Sequence, residues 1–202
     1  IIKLSNGDKN KNVVLIHAGS GEIAIYNNLA KLLCSNYNIY AIKYPKDIEK
    51  IDMREINFVE IAEKYNEDLK LIGNIDLIGG WCIGGTIGFE IAKINKKCKN
   101  VLLINSLAPV QNKKELFSMD LESELSLVNK IIRYDFKNIT NTKELWNTII
   151  NLMDHNPYLM EKFLSVIPSH LARLIPFFGK NTPVELIYYV NLFRSFERAR
   201  FL

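Results

Sequence analysis

Ile75-Asp-Leu-Ile-Gly-Gly-Trp-Cys-Ile-Gly-Gly-Thr-Ile-Gly-Phe-Glu-Ile-Ala-Lys93 decides the fold. Ile75–Ile78 reads as a short apolar strand, and Thr86–Ile94 has the spacing of an amphipathic helix. Between them, Gly80-Trp81-Cys82-Ile83-Gly84 has the layout of a strand-to-helix turn that presents a nucleophile at its apex, glycine-x-nucleophile-x-glycine. Cysteine stands where serine is usual. Such a turn needs glycine on both sides, because a Cβ two residues from the apex would collide with neighbouring backbone. It also aims the first N–H groups of the helix at any anion that develops there.

Working outward, the first half of the chain alternates strands and helices. Val13–Ile16, Ile39–Ile42 and Val101–Ile104 are continuous apolar runs of buried-strand type, and Ile1–Leu4 reads as a short edge strand. Ile23–Leu33 has helical spacing, with Ile25, Leu29, Leu32 and Leu33 on one side. Ile56–Leu71 has it too, with Phe58, Ile61, Ala62, Tyr65 and Leu69 on one face. Apolar strands alternating with helices predict an α/β architecture with a parallel sheet covered on both faces. After Pro109 the pattern changes. Residues 113–133, 141–154, 157–174 and 182–200 read as helices, broken at Asn156-Pro157, Pro176 and Pro183. The expected organisation is therefore a core over 1–110 and a helical lid region over 111–202 of the same domain.

Composition excludes several classes. The chain has 202 residues, 48% hydrophobic and 24% charged, which suits a single globular domain with a full core. Its net charge of +4 is dispersed. The densest basic run, Lys93-Ile-Asn-Lys-Lys-Cys-Lys99, reads as a solvated helix end rather than a nucleic-acid patch. No apolar run is long enough to span a membrane and no signal peptide is visible, so a cytoplasmic location is expected. Cys34, Cys82 and Cys98 lack metal-ligand spacing and read as thiols of a reducing compartment. The chain opens on Ile, which reads as a segment of something longer.

A second motif lies in Val13-Val-Leu-Ile-His-Ala-Gly-Ser-Gly21. Gly19-Ser20-Gly21-Glu22-Ile23-Ala24 fits a dinucleotide-binding signature, G-x-G-x-x-A. That reading wants an acid at the end of the next strand, where the sequence has Ala41-Ile42-Lys43-Tyr44, and Glu22 would repel a pyrophosphate. The other reading is an oxyanion loop whose Gly19 N–H acts with the N–H of Ile83, the residue after the nucleophile. This second reading explains both motifs together, at the carboxyl ends of neighbouring parallel strands.

These residues carry a family resemblance. His17-Ala-Gly-Ser-Gly21, Tyr26-Asn-Asn-Leu-Ala30, Gly79-Gly-Trp-Cys-Ile-Gly-Gly85, Phe89-Glu-Ile-Ala92 and Leu102-Leu-Ile-Asn-Ser-Leu-Ala-Pro109 resemble, in order, the thioesterase domains of nonribosomal peptide and polyketide synthases. The resemblance implies an α/β-hydrolase with a helical lid. It implies an enzyme that takes an acyl or peptidyl chain from the phosphopantetheine arm of a carrier protein and releases it by hydrolysis, cyclisation or aminolysis. The domain itself would hold no cofactor or metal. The chain departs from the family pattern at three places. Cys82 replaces the nucleophilic serine, and Asn105 stands at the position of the triad acid. The third is the histidine base, which in the family follows the last strand. This sequence shows neither that strand nor its loop, so the fold is expected to be C-terminally truncated and the base to lie outside these residues.

A cysteine nucleophile has a definite consequence. Its acyl-enzyme is a thioester, so transfer from a carrier thioester is nearly isoenergetic and the chain stays activated toward an amine. A thiol is also partly thiolate near neutral pH, so it tolerates a weak base better than serine does. Asn105 fits a Cys-His-Asn set as the orienting member. His17, beside the oxyanion loop, is expected to order that loop, and His155 to sit at a helix end. His170 lies on an apolar lid helix, where a base is conceivable. Trp81 is expected to pack beneath the turn or line the acyl site, and Cys34 and Cys98 to be incidental thiols. Two rivals remain at this level: a cysteine hydrolase of small esters or lactones on the same fold, and a binding module that has lost catalysis.

Overall fold

Five short strands build the sheet that positions the Cys82 turn. In the computed structural model of the chain, residues 1–7, 10–47, 49–106, 119–166 and 182–199 are described. They divide into two compact units. One takes residues 1–7, 10–46, 55–106 and 199, and the other takes 47, 49–54, 119–166 and 182–198.

The first unit is a mixed five-stranded sheet. β1 (Ile2–Ser5), β2 (Asn12–Ile16), β3 (Asn38–Ile42), β4 (Leu77–Trp81) and β5 (Val101–Ile104) lie in the order β1-β3-β2-β4-β5. β2, β3, β4 and β5 are parallel, as the apolar runs predict, whereas β1 pairs antiparallel with β3. The antiparallel edge fits the chain path, because β1 runs into β2 without a crossover helix to reverse its direction. β2 shows why the centre of the sheet forms here. Val13, Val14, Leu15 and Ile16 are each at most 2% exposed, so both faces of this strand are covered.

Val13 and Leu15 join Ile39, Ala41, Tyr26 and Ala30 in one cluster. That cluster contains α1 (Asn27–Leu33), which follows a single 3-10 turn at Ala24–Tyr26. The helix therefore starts later than the sequence spacing suggests, and Leu32 is 78% exposed rather than buried. The inward face centres on Ala30, with Leu29 and Leu33 beside it, and Leu32 lies roughly 160° round the helix from Ala30. α2 (Phe58–Asp68) buries Phe58, Ala62 and Tyr65 and is capped by Asn57, whose side chain accepts from the Val59 and Glu60 N–H groups. α3 (Ile83–Ile94) packs on β4 and β5 and against α2, burying Ile83, Ile87 and Ile91 completely or nearly so.

The second unit is helical. α4 (Leu121–Asn129), α5 (Thr142–His155), α6 (Pro157–Val166) and α7 (Pro183–Ala199) surround a core that includes Val128, Leu145, Trp146, Ile149 and Ile187. Asp120 caps α4 and Asn141 caps α5, each accepting from a first-turn N–H. Ile51 belongs to the same core, and residues 47 and 49–54, part of the segment between β3 and α2, group with the helices. Asn191 Nδ2 donates to the Ile51 carbonyl (2.8 Å) and the Arg54 N–H donates to Ser195 Oγ (3.0 Å). His170, and the expected helical residues 113–118 and 167–174, lie outside the described residues. Among the described residues no helix is long and apolar enough to cross a membrane.

Candidate active site

Cys82 stands between β4 and α3 with φ 57° and ψ −127°. A non-glycine residue with positive φ is strained by about 1–3 kcal/mol, and the surroundings hold it there. Its N–H donates to the Ile104 carbonyl on β5 (2.9 Å), and its carbonyl accepts from the Gly85 N–H (3.2 Å). The flanking glycines are steric necessities, as their spacing predicts. A Cβ on Gly84 would lie 2.4 Å from the Ile16 carbonyl oxygen and 2.8 Å from that of His17. A Cβ on Gly80 would lie 2.5 Å from the Tyr26 hydroxyl. The turn therefore sits directly on the end of β2.

Ile83 is the first residue of α3, so its N–H has no acceptor one turn back in the helix. Gly19 lies in the turn after β2 and is buried. β2 and β4 are parallel neighbours in register through Leu15 and Gly79. The Gly19 loop and the Cys82–Ile83 turn thus leave the same end of the sheet from adjacent strands. Within the Gly19 loop, Ala18 carries the key carbonyl. It accepts from His17 Nδ1 (2.7 Å) and from the Gly21 N–H (2.8 Å). The Gly21 carbonyl in turn accepts from the Tyr44 N–H, which ties the loop to the residues after β3 (2.9 Å).

His17 is fully buried. A carbonyl can only accept, so Nδ1 carries the proton, and Nε2 accepts from the Tyr65 hydroxyl at 2.8 Å. Tyr44 and Tyr65 meet the ring edge-on. Burial pushes the imidazole down to about 4, against a smaller opposing effect of the Ala18 bond. His17 is thus a neutral ring engaged at both nitrogens within the loop and α2. His155 lies at the end of α5 and donates from Nδ1 to the Asn151 carbonyl (2.7 Å), in the helical unit.

Asn105 directly follows β5, is exposed, and takes φ 48°, a left-handed conformation that asparagine tolerates. Since Trp81 and Ile104 are register partners, Asn105 stands at the strand end beside Cys82. Trp81 is half-buried against the β2–β3–α1 cluster. Cys34 is exposed near the end of α1, and Cys98 is half-buried, its thiol pushed up to about 11 by burial. Glu22, the acid that argued against a nucleotide loop, is salt-bridged to Lys43 (2.8 Å).

One residue at the site has no individual signal in the sequence. The Tyr26 hydroxyl donates to the Ile16 carbonyl (2.7 Å) and accepts from the Trp81 N–H (2.8 Å). Burial pushes its phenol well above the usual range, against an opposing effect of the Trp81 bond, with the charge of Cys82 adding to the rise. An aromatic residue soon after a glycine turn reads as ordinary core, and only the fold reveals that its oxygen joins two strands.

Residues 11–186 match the family described as Thioesterase domain. No curated protein matches the chain. Among solved structures, a four-domain nonribosomal peptide synthetase bound to AMP and glycine aligns with 97% of this chain and 15% of its own, at 21% identity and TM-score 0.57. The NocB thioesterase domain, in covalent complex with a fluorophosphonate nocardicin G analogue, aligns over 94% of this chain and 65% of its own, at 17% identity and TM-score 0.52. The Vlm2 thioesterase domain bound with a dodecadepsipeptide aligns over 98% and 69%, at 14% identity and TM-score 0.53. At these identities the likeness is one of fold. The chain spans less than two thirds of the length of the first two of these structures.

Proposed function

Because the chain belongs to the Thioesterase domain family and has the α/β-hydrolase fold, we propose that it releases an acyl or peptidyl chain from a carrier protein, with Cys82 as the nucleophile. The observation that carries this reading is the Cys82 turn: a positive-φ residue at a strand-to-helix junction, held between glycines that only a hydrogen side chain permits. A packing cysteine needs no such backbone.

The Cys82 sulfur attacks the carbonyl carbon of a thioester on the carrier's phosphopantetheine. A carbon–sulfur bond forms and the carbonyl electrons move onto oxygen. The N–H groups of Ile83 and Gly19 hold that oxyanion. For Gly19 the support is geometric. The Ala18 carbonyl is fixed by two donors, and a planar trans peptide turns the Gly19 N–H the opposite way. Collapse of the adduct breaks the bond to the carrier sulfur, which leaves with the proton given up by the Cys82 thiol. The acyl-Cys82 thioester then reacts with water, an internal nucleophile or an amine, giving hydrolysis, cyclisation or aminolysis. Asn105, beside the nucleophile, takes the place of the orienting triad member.

Mass spectrometry of the full-length protein with an acyl-loaded carrier protein tests this reading. A covalent acyl adduct that disappears in Cys82→Ala is expected. A folded protein that forms no adduct with short, medium or peptidyl chains would overturn it.

A further inference from the structure

The Tyr26 hydroxyl occupies an unusual place in the sheet. Ile78 and Cys82 donate their N–H groups to the Asn100 and Ile104 carbonyls, toward β5. Strand alternation therefore turns the Trp81 N–H toward β2, where a regular ladder would meet the Ile16 carbonyl directly. Instead the phenol oxygen stands between them, accepting from Trp81 and donating to Ile16. Two bonds in series replace one, so the strand ends are held apart at this rung. The chain runs from β2 to β3 on one side and then crosses to β4 on the other, so this rung lies at the topological switch point, where open α/β sheets bind ligands. Gly80 leaves the room the oxygen needs.

We propose that Tyr26 is a positioning residue whose hydroxyl, wedged between the ends of β2 and β4, sets the spacing of the two oxyanion donors. The inference rests on the reading of Cys82 as nucleophile and of Gly19 and Ile83 as donors. Ile16 leads straight into the loop of Gly19, and Trp81 leads straight into Cys82 and Ile83. One oxygen atom thereby fixes both strand ends. Without it, Trp81 and Ile16 either pair directly and narrow the gap or stay unsatisfied and loosen it. Each outcome moves a donor away from the developing charge.

The test compares two reactions of Cys82 in the full-length protein. Acylation by the N-acetylcysteamine thioester of octanoate puts charge on a carbonyl oxygen, whereas alkylation by iodoacetamide does not and needs no oxyanion donors. Tyr26→Phe is expected to slow acylation by about tenfold to a hundredfold, the scale of a misplaced donor, while alkylation stays within about twofold. Equal acylation rates in the variant and in the unsubstituted protein would overturn this inference alone. Absence of an acyl adduct in the unsubstituted protein would overturn it together with the functional reading. Should Tyr26→Phe fail to fold, hydrogen exchange at the Trp81 amide of the unsubstituted protein decides. Protection comparable to the β4 interior supports the bridge, and exchange as fast as a surface amide overturns it.

Discussion

Cys82 takes a backbone conformation that its own side chain disfavours, and the residues around it explain why the conformation persists. A Cβ on Gly84 would meet backbone atoms of Ile16 and His17, which cannot swing away, so Gly84→Ala should destabilise the protein by about 1–3 kcal/mol and abolish the acyl adduct. Urea unfolding and the mass assay check the two effects separately. His17 gives a pH dependence. Its folded value of about 4 lies below the 6.5 of an unfolded chain, so the folded state takes up the proton less readily. The stability it supports is complete above pH 6.5 and is lost as pH falls toward 4. At about 1.4 kcal/mol per pH unit, this window removes about 3 kcal/mol. Urea midpoints measured stepwise from pH 7 to 4 should fall, and the fall should be shallower in a folded His17→Gln variant. The glycine spacing around Cys82 was legible in the sequence because it encodes sterics local to one turn. The role of Tyr26 was not, because its partners are backbone atoms 10 and 55 residues away.

At the scale of elements, apolar periodicity located the five strands and the helices that flank them, with ends displaced by a few residues. α1 begins four residues late, at Asn27 rather than Ile23, and α3 three residues early, at Ile83 rather than Thr86, because that helix starts from the Cys82 turn itself. Leu32 shows where periodicity misleads. A 3-10 turn before α1 delays the helix start, and the buried face settles on Ala30. In the helical unit, an ion pair between half-buried Arg194 and buried Glu124 links α4 to α7. Arg194 grips both oxygens of Glu124 at 2.6 and 3.0 Å, donates to Asn191 Oδ1, and lies over the Trp146 ring. Glu124 is 1% exposed. Arg194→Met would leave that carboxylate buried and unpaired, and should destabilise the unit by about 3–5 kcal/mol. Adding Glu124→Leu should recover most of the loss, because an apolar pair of similar volume carries no desolvation penalty. A double-mutant cycle by urea unfolding measures the coupling.

At the scale of the whole molecule, the described chain forms two units, and its path between them is the least expected feature. Residues 49–54 lie between a strand and a helix of the sheet unit, yet Ile51, Asp52 and Arg54 hydrogen-bond to Asn191, Thr142 and Ser195, and Ile51 packs in the helical core. Hydrogen exchange should report this grouping. The Arg54 amide is expected to be protected with α5 and α7 rather than exposed like a surface loop, and Ser195→Ala should speed its exchange by about tenfold, the equivalent of one lost hydrogen bond. Nothing in residues 47–54 signals this, because the partners lie about 140 positions along the chain. The sequence by itself determined the alternating strand and helix order, the glycine-framed cysteine turn, and the likeness to thioesterase domains. These follow from local sterics and from apolar spacing within single elements. Tertiary structure alone decided the phase of α1, the tautomer and burial of His17, the phenol bridge of Tyr26, and the unit to which residues 47 and 49–54 belong. Each of these depends on atoms brought together by the fold from distant positions, which no local pattern encodes.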